Sequence, residues 1–370
     1  MYSIIMLIYI MVLFLFSTTN ERINQRSKAI TTLFCVAIFS ILISLRDQYT
    51  PDTSNYISYY IEAGDWIYDT FSFIEKSNYQ GLEQGFLWTT VLFKDTTHSS
   101  YIYYFILISF VSIITSIIGL VGILKSIYCT SSKKINYILV LLLYLSYYGI
   151  YYSGIAMRCG MAIGISLMTI YYLYNGKYAR GIIGLLLALS FHNLSILVIP
   201  IFVVLKYFPK ISKKALIYTW IVYGILLFTN VSKYITNISV QILEFAGNNV
   251  LLVDYIHYLK NINESVRLNV LAMWLFIMIL LLFFESKYEY TYKFYNVILG
   301  WMVVVLLAST INGYNRIADW FLIFVVPIVY ITYDNWKFKS SFVVIVLLLY
   351  IIMSFYKSMT DMGWPSSFLY

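Results

Sequence analysis

The stretch GIIGLLLALSFHNLSILVIPIFVVL, residues 181–205, decides how the chain is threaded. It is apolar almost throughout, long enough to cross a bilayer, and interrupted midway by Phe191-His192-Asn193. Both flanks are basic: Lys177 and Arg180 precede it, and Lys206, Lys210, Lys213 and Lys214 follow. Cytoplasmic loops of membrane proteins collect Lys and Arg. A single crossing would strand one of these clusters outside. A re-entrant helical hairpin over 181–205, with its tip at His192, keeps both inside. Irregular backbone at that depth is tolerated only where protein or a wet cavity surrounds it.

Outward from this stretch the apolar pattern repeats. Runs of roughly 16 to 24 residues cover 1–16, 29–45, 101–124, 135–152, 159–174, 215–232, 268–284, 294–311, 317–332 and 340–356. The fold class expected is all-α, a polytopic transmembrane helical bundle of about ten spans plus the re-entrant hairpin. Hydrophobic residues make up 61% of the chain and charged residues 11%, with a mean hydropathy of +0.78. A soluble domain carries about 25% charged residues, so a water-facing globular fold is excluded. No Pro-rich or Gly/Ser-rich linker divides the sequence, and 1–370 reads as a single integral membrane domain. The first run lacks the basic leader and small-residue cleavage site of a signal peptide and reads as a retained helix.

Charge tests the threading. With the hairpin, 16 of the 25 Lys and Arg residues fall inside and 9 outside, while 13 of the 17 acids fall outside. A full crossing leaves 13 basic residues inside and 12 outside. The hairpin gives the sharper asymmetry, and the net charge of +8 then belongs to the cytoplasmic rim rather than to a nucleic-acid surface. Two stretches read as external loops, 46–100 and 233–267. The first mixes eight acids with Trp66, Phe71, Phe73, Phe86 and Trp88, which suits amphipathic helices lying on the membrane surface.

Three arginines stand on the outer side, where the positive-inside tendency disfavours them: Arg46, Arg158 and Arg316. Each alone has a plain explanation, snorkelling or pairing with acids such as Asp47 or Asp319. Three at one level suit a lipid-linked phosphate or pyrophosphate, because guanidinium is always charged and donates paired hydrogen bonds. Asp52, after Pro51 in a turn, either takes a proton from a hydroxyl or caps the helix starting near Thr53. Glu83 reads as base, sugar ligand or surface carboxylate. His192 is either a satisfied packing residue or a general base, and ionisable groups inside a membrane default to a functional hypothesis. Cys35, Cys129 and Cys159 form no CxxC pair, and neither a metal site nor a cofactor motif is present in the sequence.

Five segments resemble the EpsG family, a branch of the Wzy-type polysaccharide polymerases. They are LRDQYTPDTSNYISYY (45–60), GLEQGFLWTTVLF (81–93), GIAMRCGMAIGISLMTIYYL (154–173), LLLALSFHNLSILVIPIF (185–202) and NRIADWFLIFVVPIVY (315–330). They depart from the family pattern at Cys159, where Gln often follows the Arg, and at Pro51, where Gly often precedes the Asp. The resemblance implies a glycosyltransferase without metal or nucleotide sugar. It would polymerise undecaprenyl-pyrophosphate-linked oligosaccharide repeat units, for O-antigen, capsule or exopolysaccharide, at the periplasmic face of the inner membrane. Its partners would be the lipid-linked donor and acceptor, membrane lipid and a chain-length regulator. On this view Arg158 and Arg316 bind donor pyrophosphate, and Arg46 assists or binds the acceptor lipid. His192, ahead of Asp52, is the base, and Tyr56 and Glu83 line the sugar surface. The rival readings are a glycosyltransferase using a lipid-phosphate sugar, a lipid-linked oligosaccharide flippase, and an assembly scaffold without chemistry.

Overall fold

The computed structural model describes residues 2–19, 24–48, 50–62, 83–128, 135–229, 268–283, 288–308, 314–336 and 341–361, with 231, 234 and 238. Trp66, Phe71, Phe73 and nearly all of 233–267 lie outside the described residues. Among those described the chain is all-helical. It divides into two compact units, 1–202 with 344–370, and 203–343.

In the first unit, α1 (Tyr2–Thr19) and α2 (Gln25–Ser44) precede the short helices α3 (Thr53–Glu62) and α4 (Gln84–Thr97). The long α5 (Tyr101–Ile127) and α6 (Tyr137–Gly154) follow, then α7 (Met157–Tyr174) and α8 (Tyr178–Phe191). A 3-10 turn (Asn193–Leu197) leads into α9 (Val198–Tyr207), and α15 (Ser341–Asp361) returns to this unit. Among the described residues four helices are long and apolar enough to cross a bilayer: Arg26–Ser44, Tyr101–Ile127, Tyr137–Gly154 and Arg316–Asp334. Shorter apolar helices occupy most of the remaining expected spans. Their outward faces are apolar too. On α8, Ile183 is 66% exposed while Ala188 and Phe191 are buried, a pattern that suits lipid rather than water.

The α5–α7 seam is built from small residues. Hydrocarbon gives helices no hydrophobic reason to associate, so close backbone approach carries the packing. Gly160 and Gly164 are one turn apart on α7. A Cβ at Gly160 would sit 3.1 Å from Ser112 Oγ, and one at Gly164 would sit 2.7 Å from the Ser112 carbonyl oxygen. Gly119 and Gly122 of α5 meet Leu167 and Tyr171 in the same order, so the two helices run parallel. That direction follows from the short links through α6 between them.

Almost all of α6 is buried. Asn136 caps it, accepting from Leu139 N–H at 3.3 Å. Midway, Leu145–Gly149 form a wide π turn. Tyrosines at i and i+4 spacing stack along it, Tyr147 on Tyr151 at 5.6 Å and Tyr148 on Tyr152 at 6.3 Å. Lys357 of α15 donates to the Tyr147 hydroxyl at 2.6 Å.

The second unit holds α10 (Lys213–Phe228), α11 (Leu268–Phe283), α12 (Tyr288–Ala308), α13 (Tyr314–Leu322) and α14 (Val325–Trp336). Trp220 anchors it, stacked on Trp301 at 6.2 Å, with its carbonyl accepting from Trp274 Nε1 at 3.0 Å. The apolar run 317–332 breaks at Ile323–Phe324. Pro327, three residues into α14, lacks an N–H and its ring clashes with a helical carbonyl at position 323.

Candidate functional site

The first unit brings four side chains expected from the sequence into one cluster: Tyr56 from α3, Glu83 before α4, Arg158 from the first turn of α7, and His192 between α8 and the 3-10 turn. Arg158 Nη1 donates to Glu83 Oε2 in an ion pair, with the side chains 25% and 11% exposed. The Arg158 charge also acts on the Tyr56 hydroxyl. Arg158 Nε is buried and has no hydrogen-bond partner among the described residues. His192 Nδ1 lies 3.7 Å from Glu83 Oε1.

Local sequence explains each placement. Ile155 and Ala156 are the only residues between α6 and α7, so Arg158 is held in the first turn of α7. Cations there are disfavoured by the helix dipole, and anions are favoured. Glu83 stands at the N-cap position of α4 in extended conformation, but its side chain makes no capping bond. It is turned toward Arg158 instead. His192 breaks the apolar helix with φ −163° and ψ 129°, and its Nδ1 accepts from Leu194 N–H at 3.2 Å. The interruption expected at His192 is therefore present, flanked by a helix on each side.

Gly85 was not singled out by the sequence reading, although it stands in the quoted Glu-x-Gly segment. A Cβ at Gly85 would collide with Ser190 Oγ and lie 2.7 Å from the Ser190 carbonyl oxygen. Only glycine lets α4 come this close to the end of α8. That approach sets Glu83 beside His192, two residues beyond Ser190.

Arg46 is 7% exposed and enclosed by protein. Its Nε donates to Thr53 Oγ1 at 2.9 Å, Nη1 to the Ile43 carbonyl at 3.2 Å and Nη2 to Met157 Sδ at 3.0 Å. Its guanidinium carbon lies 4.6 Å from the centre of the Phe105 ring. It thereby ties the end of α2 to the start of α3 and to the residue preceding Arg158. Thr53, Met157 and Phe105 carried no sequence signal. Asp52 is half-buried with φ 62°, in the left-handed region that Asp tolerates better than most residues. Its carbonyl accepts from Tyr56 N–H at 3.0 Å, and its charge acts on the Tyr56 hydroxyl. Burial among Phe86, Phe105 and Tyr59 pushes that hydroxyl above the ordinary phenol range, against the opposing pull of Arg158. Arg316 belongs to the second unit. It is half-buried in the first turn of α13, three residues before the buried Asp319.

A family model described as the EpsG family matches residues 31–369. The chain belongs to the EpsG family. The match takes in all of Arg46, Asp52, Tyr56, Glu83, Arg158, His192 and Arg316. EpsG-family proteins are Wzy-type polymerase-like membrane proteins, and the apolar helices agree with a membrane polysaccharide-polymerase-like role. No curated protein and no solved structure matches this EpsG-family chain.

Proposed function

We propose that this protein polymerises undecaprenyl-pyrophosphate-linked oligosaccharide units at the outer face of the cytoplasmic membrane, through about ten spans and a re-entrant hairpin over 181–205. The observation that carries the reading is the Arg158–Glu83 pair. An arginine with one buried donor left over, at a helix N-terminus, is a ready anion site. The anion holding it now is a carboxylate of the protein itself.

The chemistry follows from exchanging that partner. Donor pyrophosphate takes Arg158, whose planar fork suits phosphate oxygens; Arg316 is proposed as a second cation from the family resemblance alone. Glu83 is released toward His192. A carboxylate that loses its cationic partner takes up a proton more readily. The acceptor sugar hydroxyl attacks the donor's anomeric carbon and gives its proton to Glu83. The bond from that carbon to the pyrophosphate oxygen breaks, and the lipid pyrophosphate leaves with its charge stabilised by arginine. His192 is set aside as the base because its Nδ1 lone pair is engaged by Leu194 N–H. Asp52 is the alternative base, poised beside Tyr56. Arg46 is a positioning residue, because each of its three nitrogens already donates within the protein, to Thr53, Ile43 and Met157.

The test is the surface polysaccharide ladder. Arg158→Ala and Arg316→Ala should each leave single repeat units with no ladder while the protein still inserts. Glu83→Gln should do the same. A normal ladder in Arg158→Ala would overturn the pyrophosphate assignment. Repeat units trapped on the cytoplasmic side would favour a flippase.

A further inference from the structure

A second feature lies at the opposite end of the parallel α5–α7 pair from Arg158. The distance from Arg158 to Tyr171 along α7 is thirteen residues, or about 20 Å at the helical rise. Here a cavity of about 350 Å³ opens between α2 and α5, with α6 and α7 closing its polar end. Its walls are apolar, including Leu33, Ile114, Ile118 and Val121. Leu33 and Ile118 are 46% and 48% exposed, so the mouth opens sideways on membrane-facing helices. The volume falls at the low end of ligand pockets.

The polar end is cationic. Lys125 lines the cavity and donates to the Tyr137 hydroxyl at 3.0 Å, its ammonium 5.3 Å from the centre of that ring. Arg26 is exposed in the first turn of α2, one turn before the lining residue Ala29. None of α2, α5, α6 and α7 carries an Asp or Glu. The cavity thus combines an apolar slot with a lysine at its end. Basic pockets between membrane helices suit anionic lipid headgroups.

We infer that this groove binds one anionic phospholipid, an acyl chain lying between α2 and α5 and its phosphate at Lys125. The site is separate from the Arg158 cluster, and its occupancy does not depend on the proposed polymerase reaction.

Native mass spectrometry of the detergent-purified full chain tests this, with phosphatidylglycerol and phosphatidylcholine of matched acyl chains. One phosphatidylglycerol should be retained per chain, at least about fivefold in preference to phosphatidylcholine. Lys125→Gln should reduce the preference to near parity. Ile118→Trp, which fills the mouth without changing charge, should lower retention of both lipids. Equal retention of the two lipids by the wild-type chain would overturn the inference, as would an undiminished preference in Lys125→Gln. Displacement of phosphatidylglycerol by an equimolar polyprenyl phosphate would also overturn it, by making the groove a substrate path.

Discussion

Replacing Gly85 by alanine adds one methyl group where α4 touches the end of α8. The new carbon would lie 2.7 Å from the Ser190 carbonyl oxygen, and ordinary contact begins at 3.4 Å, so the backbones must part by about 0.7 Å. Two effects compete. Alanine is the better helix former, by about 0.8–1 kcal/mol in a helix interior. Overpacking against backbone costs about 1–3 kcal/mol, because a carbonyl cannot rotate away as a side-chain tip can. The clash outweighs the gain, for a net loss of up to about 2 kcal/mol. Activity should suffer more than stability. Glu83 is two residues away, and a shift near 1 Å at a reacting group costs about 100-fold. Thermal unfolding in detergent should therefore show a modestly lowered midpoint, while the polysaccharide ladder disappears. Ser190→Gly should not rescue it, since the carbonyl remains. A Gly85→Ala protein with a full ladder and an unchanged or raised midpoint would refute the placement of Glu83 by this contact.

Three further outcomes follow from the same geometry. Arg46→Lys loses the fork that reaches Thr53, Ile43 and Met157 together, and should lower stability by about 2 kcal/mol in detergent denaturation; an unchanged midpoint would return Arg46 to the list of substrate contacts. Tyr56→Phe should become relatively more stable at high pH. A hydroxyl held protonated by burial contributes stability that is full below the unfolded value of about 10 and is lost as pH rises beyond it, so the melting difference from wild type should be flat from pH 6 to 9 and shift in favour of Phe above. Gly164→Leu drives a side chain into the Ser112 carbonyl and should cost at least about 3 kcal/mol, read as loss of folded protein from the membrane fraction.

Much of the helical order was legible because bilayer-length apolar runs leave few alternatives. The break at His192 could be read because a lone polar tripeptide cannot continue an apolar helix without a partner. Arg158 and Glu83 were each legible as charges out of place. Their pairing was not, since 75 residues separate them and charge alone does not give a direction in space. Arg46 shows the opposite limit: the sequence registers a cation at a membrane edge, but not that Thr53, Met157 and Phe105 enclose it. Gly85 was hidden because a glycine that permits contact looks the same as one that permits a turn. The path of the chain beyond the 181–205 break rests on the balance of Lys and Arg.

The π turn at Leu145–Gly149 carries one residue more than an unbroken helix would need to join the same two ends. That surplus acts as a phase adjuster. Were the turn to relax to ordinary winding with the chain intact, everything after it would rotate by about 100° and advance about 1.5 Å, carrying the start of α7 away from Glu83. Deleting a single residue within 145–149 would instead remove the surplus and leave both ends in place. The same deletion at 139–143 would throw the tyrosines and Arg158 out of phase. Tolerance of a shortened helix should therefore be confined to this one turn, where irregular winding keeps the flanking faces aligned.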